Sequence, residues 1–196
     1  GIILCGGKSS RMQTNKALLK LGEKTIIEII LDEMKKVFSR IILSANKAEE
    51  LLFLNLPIVK DTFKSSGPLD GIYSALKSSD TDKNFMTTCD LPLINSDIIE
   101  HLLNIDSKKD IIIPVVNSKP ERLIGVYKKS VINIIEKIFK TSETDQTIKR
   151  SVYDLHRLAE VECIEINNIS IFNESLFLNM NTPEDYEKVK SIYPVL

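Results

Sequence analysis

Short apolar runs rich in β-branched residues alternate with longer segments of helical period along this chain, and that alternation constrains the fold more than any other feature. Strands that alternate with helices pair in parallel, because each crossover helix carries the chain back to the same end of the sheet. An α/β fold with a mostly parallel sheet follows. Residues 1–5 read as the first strand, and Thr25-Ile26-Ile27-Glu28 as a capping box opening a helix with Ile27, Ile30, Leu31, Met34 and Phe38 on one face. Strands are expected at 40–45 and 57–59 with a short helix over 48–54 between them, then a helix after Gly67-Pro68 and a strand over 84–89. Asp61 and Asp90 thus stand at strand ends. The second half predicts a helix capped by Ser96, strands at 110–116 and 123–127, and a helix carrying Val131, Ile134, Ile135 and Ile138. A strand at 161–166 and a closing helix from Pro183 to about Ile192, with Thr182 as its cap, complete the pattern.

With 196 residues and 43% hydrophobic positions, the chain can bury a full core, and no repeat or linker divides it; one domain over 1–196 is expected. Lys and Arg number 26 against 27 Asp and Glu, so there is no basic field to gather nucleic acid or an anionic membrane, and any anion must be held locally. No apolar run approaches the length of a bilayer span, and the chain opens on Gly1-Ile2-Ile3-Leu4 rather than on a charged leader with a cleavage site. A soluble, cytoplasmic protein is expected, with a few residues preceding Gly1. The three cysteines, Cys5, Cys89 and Cys163, show no CxxC spacing and are expected as reduced thiols.

The segment from Leu4 to Lys16 carries the most chemistry. Gly6-Gly7 directly after a strand lets backbone N–H groups approach a phosphate or a base, and Lys8, Arg11 and Lys16 add three cations to the same loop. That excess suits a triphosphate better than a solvated turn. Ile2 stands where a GxxxxGK[ST] loop ending on Lys8-Ser9 would need its first glycine, and GxGxxG is absent. Asp90 at its strand end is either a magnesium ligand bridging phosphates or a turn-forming aspartate before Leu91-Pro92. Asp61 either accepts hydrogen bonds from a nucleotide or caps its strand.

The run GG-x-S-x-R-M-x-x-x-K-A-L-L, residues 6–19, resembles the signature loop of the molybdenum cofactor nucleotidyltransferases, within the wider group of sugar-nucleotide and isoprenoid-precursor pyrophosphorylases. Val59-Lys60-Asp61 with Gly67-Pro68-Leu69-Asp70-Gly71-Ile72, then Cys89-Asp90-Leu91-Pro92, then Asn179-Met180-Asn181-Thr182-Pro183-Glu184-Asp185 resemble three further motifs of that family in its order. The Leu-Cys-Gly-Gly form of the loop resembles the guanylyltransferase branch, whose cytidylyltransferase relatives carry alanine where Gly6 stands. Gln13, where the family has glycine, and Ser44, where guanylyltransferases place asparagine, depart from the pattern; Asn46 is the candidate substitute.

The resemblance implies a three-layer, Rossmann-like nucleotidyltransferase fold and transfer of GMP from GTP to molybdopterin, with Mg2+ as cofactor and molybdoenzyme maturation proteins as partners. It implies that Arg11, Lys16 and Asp90 are catalytic, that Leu4, Cys5, Gly6, Gly7, Lys16, Asp61 and Asp90 bind the nucleotide, and that Asp90 and Asn181 hold the metal. Cys5 has no activating histidine nearby in sequence and reads as a packing residue, while His101 and His156 lie on helical segments without partners at ligand spacing. Pro120-Glu121-Arg122 and Lys128-Lys129 are candidate pterin surfaces. The rival readings are a CTP-dependent molybdopterin or a sugar-phosphate nucleotidyltransferase and, from another class, a non-catalytic carrier of GTP or molybdopterin.

Overall fold

A computed structural model describes residues 1–6, 15–63 and 67–193. Its strands are β1 (Ile2–Leu4), β2 (Lys20–Leu21), β3 (Lys24–Thr25), β4 (Ile42–Ser44), β5 (Ile58–Val59), β6 (Lys83–Thr88), β7 (Ile111–Val116), β8 (Lys119–Pro120), β9 (Gly125–Lys128) and β10 (Val161–Glu165). Its α-helices are α1 (Ile26–Val37), α2 (Pro68–Ser78), α3 (Ser96–Leu103), α4 (Val131–Thr141), α5 (Val152–Leu158) and α6 (Pro183–Ile192). The main sheet runs β10-β7-β9-β6-β1-β4-β5, with β8 paired to β7.

Helix α1 starts where the capping box places it: Glu28 accepts from the Thr25 N–H at 2.8 Å and Thr25 receives the reciprocal bond. Its buried residues Ile27, Ile30, Leu31 and Met34 pack with Phe85, Ile98 and Leu102 on one face of the sheet. On the other face, Leu69, Ile72 and Leu76 of α2 pack with Val131 and Ile135 of α4 and Leu155 of α5. The apolar stripes thus cover both faces of the sheet. This is the three-layer α/β architecture the alternation calls for.

Strands β4, β1 and β6 are parallel, with Ile2 opposite Ile42 on one side and Met86 on the other, and β5 and β10 join their neighbours in the same sense. Apart from the short β8, antiparallel to β7, the exception is β9, antiparallel to both β6 and β7. Its reason is length: β7 and β9 are joined through a hairpin whose Asn117 and Ser118 both have positive φ (48° and 62°), and a parallel return would need a crossover of a dozen residues or more. Gly125 begins β9 at φ 139°, where a Cβ would lie 2.1 Å from the Ile112 carbonyl oxygen, so no side chain is tolerated there. Because β9 lies between them reversed, β6 and β7 point the same way. The carboxyl ends of β1, β4, β5, β6, β7 and β10 therefore share one edge.

The expected boundaries shift at a few places. Asn95, not Ser96, caps α3: its Oδ1 accepts from the Ile98 N–H at 3.1 Å, while the Ser96 N–H donates to Glu33 at 3.0 Å. The β2–β3 hairpin is an addition, too short to show a hydrophobic period. No helix among the described residues is long and apolar enough to cross a membrane.

Candidate active site

The shared edge gathers four turns. After β1, the Cys5 N–H donates to the Ser44 carbonyl at 2.8 Å and the Leu4 carbonyl accepts from the Cys89 N–H at 3.3 Å, so these peptide groups extend the ladder and hold the turn rigid. Gly6 follows, exposed, and a Cβ added to it would meet no atom of the described residues within 4 Å. Gly7 and Arg11, with Lys8 and Gln13, lie outside the described residues.

Lys16 starts a short 3-10 helix, Lys16–Leu18, capped by Asn15, whose Oδ1 accepts from the Ala17 N–H at 3.1 Å. The Asn15 amide also donates to Glu50 at 2.5 Å, and Ala17 is buried, so the loop's exit is fixed from two sides. The Lys16 ammonium then donates to Asp90 Oδ1 at 3.1 Å and to Asn181 Oδ1 at 2.9 Å. Residues from three distant parts of the chain meet on one cation. The Lys16 side chain is 15% exposed and that of Asp90 40%, which keeps the pair's contribution to stability at about 1 kcal/mol or less. A triphosphate can exchange with the carboxylate at little cost.

The segment carrying Asn181 is itself anchored. The Met180 N–H donates to the Asp90 carbonyl at 2.8 Å, joining this turn to the end of β6. Asp185 accepts from the Asn181 N–H at 2.9 Å and the Thr182 N–H at 2.8 Å, while Thr182 Oγ1 accepts from the Asp185 N–H at 3.2 Å, a second capping box. The Asn181 N–H, then Thr182 and the nearby Lys16 charge, hold the Asp185 carboxyl below its ordinary value of 3.8. Sequence reading passed over Asp185 as a site residue. Its spacing from Thr182 was the available signal.

At the other end of the edge, Asn46 follows β4 and Asp61 follows β5. The Asn46 amide donates to Asp61 Oδ2 at 2.7 Å, and the Asp61 N–H donates back to Asn46 Oδ1 at 3.1 Å. Asn46 thus reaches the edge, whereas Ser44 is buried at 2% exposure over Gly71. A Cβ at Gly71 would lie 2.8 Å from Ser44 Oγ and 3.5 Å from Asp61 Oδ1, so this glycine lets α2 close on the two strand ends. The chain beyond Asp61 is stitched to α2: the Thr62 N–H donates to Ser74 at 2.9 Å and the Phe63 N–H to Asp70 at 3.1 Å.

Of the two candidate pterin surfaces, the structure separates one from this edge. Lys128 lies opposite Lys83 at the start of β6, because β9 runs antiparallel; its ammonium donates to the Ser107 carbonyl, and that of Lys129 to the Ser79 carbonyl. Both lysines therefore stand at the far end of the sheet. Pro120-Glu121-Arg122 follows the hairpin at the end of β7, on the shared edge. The buried Tyr127 hydroxyl donates to the Arg122 carbonyl and meets His156 Nε2 at 2.9 Å. Burial, with the Arg122 charge, lowers His156 to about 4, so this histidine is neutral and structural at pH 7. His101 lies near the end of α3.

Cys5 and Cys89 follow the paired ends of β1 and β6, and the Cys89 thiol donates to Cys5 Sγ across 3.3 Å. Both side chains pack on the α1 and α3 face; contact with Cys5, then burial, pushes the Cys89 thiol well above the ordinary range. A separation of 84 positions hid this contact in the sequence.

Among the described residues no three His, Cys, Asp or Glu side chains cluster as a metal cage. The donors at the cation-holding end are one carboxylate and one amide oxygen, both already turned toward a positive charge. That set fits magnesium, which takes one or two carboxylates and fills its shell with phosphate and water.

Comparison with known proteins settles the family. Residues 1–160 match the model of the MobA-like NTP transferase domain. The chain belongs to that family. It is similar over 97% of its length, at 38% identity, to a protein of Carboxydothermus hydrogenoformans named "Probable molybdenum cofactor guanylyltransferase", of which it covers 94%. A protein of the same name from Clostridium perfringens is 37% identical over 94% of this chain and 92% of its own. The fold matches the crystal structure of molybdopterin-guanine dinucleotide biosynthesis protein A from Archaeoglobus fulgidus, with a TM-score of 0.81 at 22% identity over 97% and 96% of the two chains. As a MobA-like NTP transferase the chain is a nucleotidyltransferase. The carboxyl-edge site lies where such a sheet binds its ligands.

Proposed function

We propose that this chain, as a single nucleotidyltransferase domain over 1–196, transfers GMP from GTP to molybdopterin, giving molybdopterin guanine dinucleotide and pyrophosphate in the cytoplasm. The observation that carries the reading is the convergence of Lys16, Asp90 and Asn181 beside the Cys5-Gly6 turn, in a chain similar throughout to proteins named for this activity. The terminal phosphate of molybdopterin attacks the α-phosphorus in line as the bond to pyrophosphate breaks. The nucleophile is ionised at neutral pH, so no general base is needed, and catalysis rests on placement and charge.

Lys16 exchanges its carboxylate partner for phosphate oxygens and stabilises the charge that collects on pyrophosphate. Arg11 is assigned to the same phosphates by the family pattern. Leu4, Cys5 and Gly6 form the turn along which the nucleoside lies, and Gly7 is assigned to the nucleotide by the family pattern. Asp61, with one oxygen engaged by Asn46, turns the other toward the guanine N1 and N2 donors; Asn46 thereby serves the base by positioning Asp61. Asp90 and Asn181 would hold Mg2+, which when bound neutralises phosphate charge. Arg122 and its turn face the pterin side, and molybdoenzyme maturation proteins receive the product.

The test is pyrophosphate release with magnesium and each of the four nucleoside triphosphates, with and without molybdopterin. Release is expected only with GTP and molybdopterin together, with the dinucleotide identified by mass. Release with CTP or a sugar phosphate instead would replace the named reaction, and nucleotide binding with no release under any combination would favour a carrier.

A further inference from the structure

Two of the chain's three thiols sit side by side under the candidate catalytic edge, and the proposed transfer uses neither. Leu4 and Thr88 are directly paired in parallel strands, so Cys5 and Cys89, one residue on, stand opposite each other with Sγ atoms 3.3 Å apart. Neighbouring strands lie about 4.8 Å apart, within the range of Cα separations a disulfide spans. The sulfurs need to close by only about 1.3 Å to reach bonding distance. Cys5 is partly exposed and Cys89 buried, which gives an oxidant access to one sulfur and keeps the other behind it. Each cysteine is followed at once by a site residue, Gly6 after Cys5 and Asp90 after Cys89.

We propose that Cys5 and Cys89 form an intrachain disulfide under a peroxide oxidant, and that this bond reversibly stops nucleotidyl transfer by drawing the Gly6 and Asp90 turns together. The chemistry balances with hydrogen peroxide alone. The Cys5 sulfur attacks one peroxide oxygen, the O–O bond breaks, and a sulfenic acid and water result; the Cys89 sulfur then attacks Cys5 sulfur, the S–O bond breaks, and a second water leaves. Both thiol protons end in water. A thiol reductant reverses the bond by exchange. The exposed Cys163, on β10, is remote from the pair in the sheet order and takes no part.

The effect on turnover rests on the guanylyltransfer reading; the disulfide itself does not. The experiment treats a Cys163→Ser chain with hydrogen peroxide and then dithiothreitol, reading free thiols, intact mass, the peptide map, and pyrophosphate release from GTP and molybdopterin. Expected are loss of both thiols, a mass lower by two hydrogen atoms, a Cys5–Cys89 linked peptide, and a fall in rate of about 10²-fold, the scale of an ångström-sized misplacement, restored by reductant. Cys89→Ser in the same background is expected to keep its rate under peroxide. Both thiols remaining free under peroxide that oxidises Cys163 in the unsubstituted chain would overturn the proposal, as would a mapped disulfide with unchanged rate. A reduced chain that releases no pyrophosphate would count against the transfer reading, while the thiol and mass readouts still decide the disulfide.

Discussion

The two ends of the binding edge are built on different principles. At one, Lys16, Asp90 and Asn181 come from positions far apart in the chain and their side chains meet on one ammonium, in a pair exposed enough for a ligand to replace. At the other, Asn46 and Asp61 follow neighbouring strands and are locked by two hydrogen bonds, with Gly71 and Ser44 packed beneath them. The first arrangement is suited to changing partners as charge moves; the second is suited to holding one shape. Turnover and base choice should therefore separate under mutation.

The largest effect is expected from Asp90→Ala, which removes the carboxylate paired with Lys16; kcat for pyrophosphate release should fall by about 10³-fold or more, with the preference for GTP kept. Lys16→Ala should cost about 10²- to 10³-fold in the same assay, since it removes one donor to the leaving group. At the other end, Asp61→Asn should leave kcat within a few fold but raise KM for GTP by about 10-fold or more and erode discrimination against CTP, by mispairing a buried base edge. Asn46→Ala should give the same pattern more weakly, by a few fold in KM, because it loosens Asp61 without removing it. If Asn46→Ala lowered kcat alone, the division between the ends would fail.

Asp185→Asn gives the smallest effect and sharpens the account of how the first end is assembled. Loss of the charged cap should cost about 1 kcal/mol in denaturant unfolding. Because native contacts lower the Asp185 pKa below its ordinary 3.8, its stabilisation is present at neutral pH and is lost as the pH falls below that value; the variant should show a shallower acid decline.

The same contrast decides how much was legible in the sequence. The capping box at Thr25, the apolar stripe of α1, and the strand ends at Asp61 and Asp90 are local signals, and they placed the sheet and its carboxyl edge. The reversal of β9 was written in the short Asn117-Ser118 hairpin, but hydrophobic period does not report strand direction, and of the two candidate pterin surfaces Lys128-Lys129 lies at the far end. Asn181 was drawn to the site by its motif alone, since the contact with Lys16 spans 165 positions. Asn46 was visible only as a substitute for a missing asparagine; that it grips Asp61 is a matter of register between β4 and β5. The Cys5–Cys89 contact follows from two motifs that end adjacent strands, a neighbourhood that spacing along the chain does not encode.

One measurement bears most directly on the claim that this edge is a transferase site with two separable ends: kcat and the ratio of kcat/KM for GTP over CTP, determined side by side for the native chain, Asp90→Ala and Asp61→Asn with molybdopterin and magnesium. The account predicts that Asp90→Ala loses turnover while keeping its GTP preference, and that Asp61→Asn keeps turnover while losing that preference. Native turnover in Asp90→Ala, or an unchanged ratio in Asp61→Asn, would contradict it.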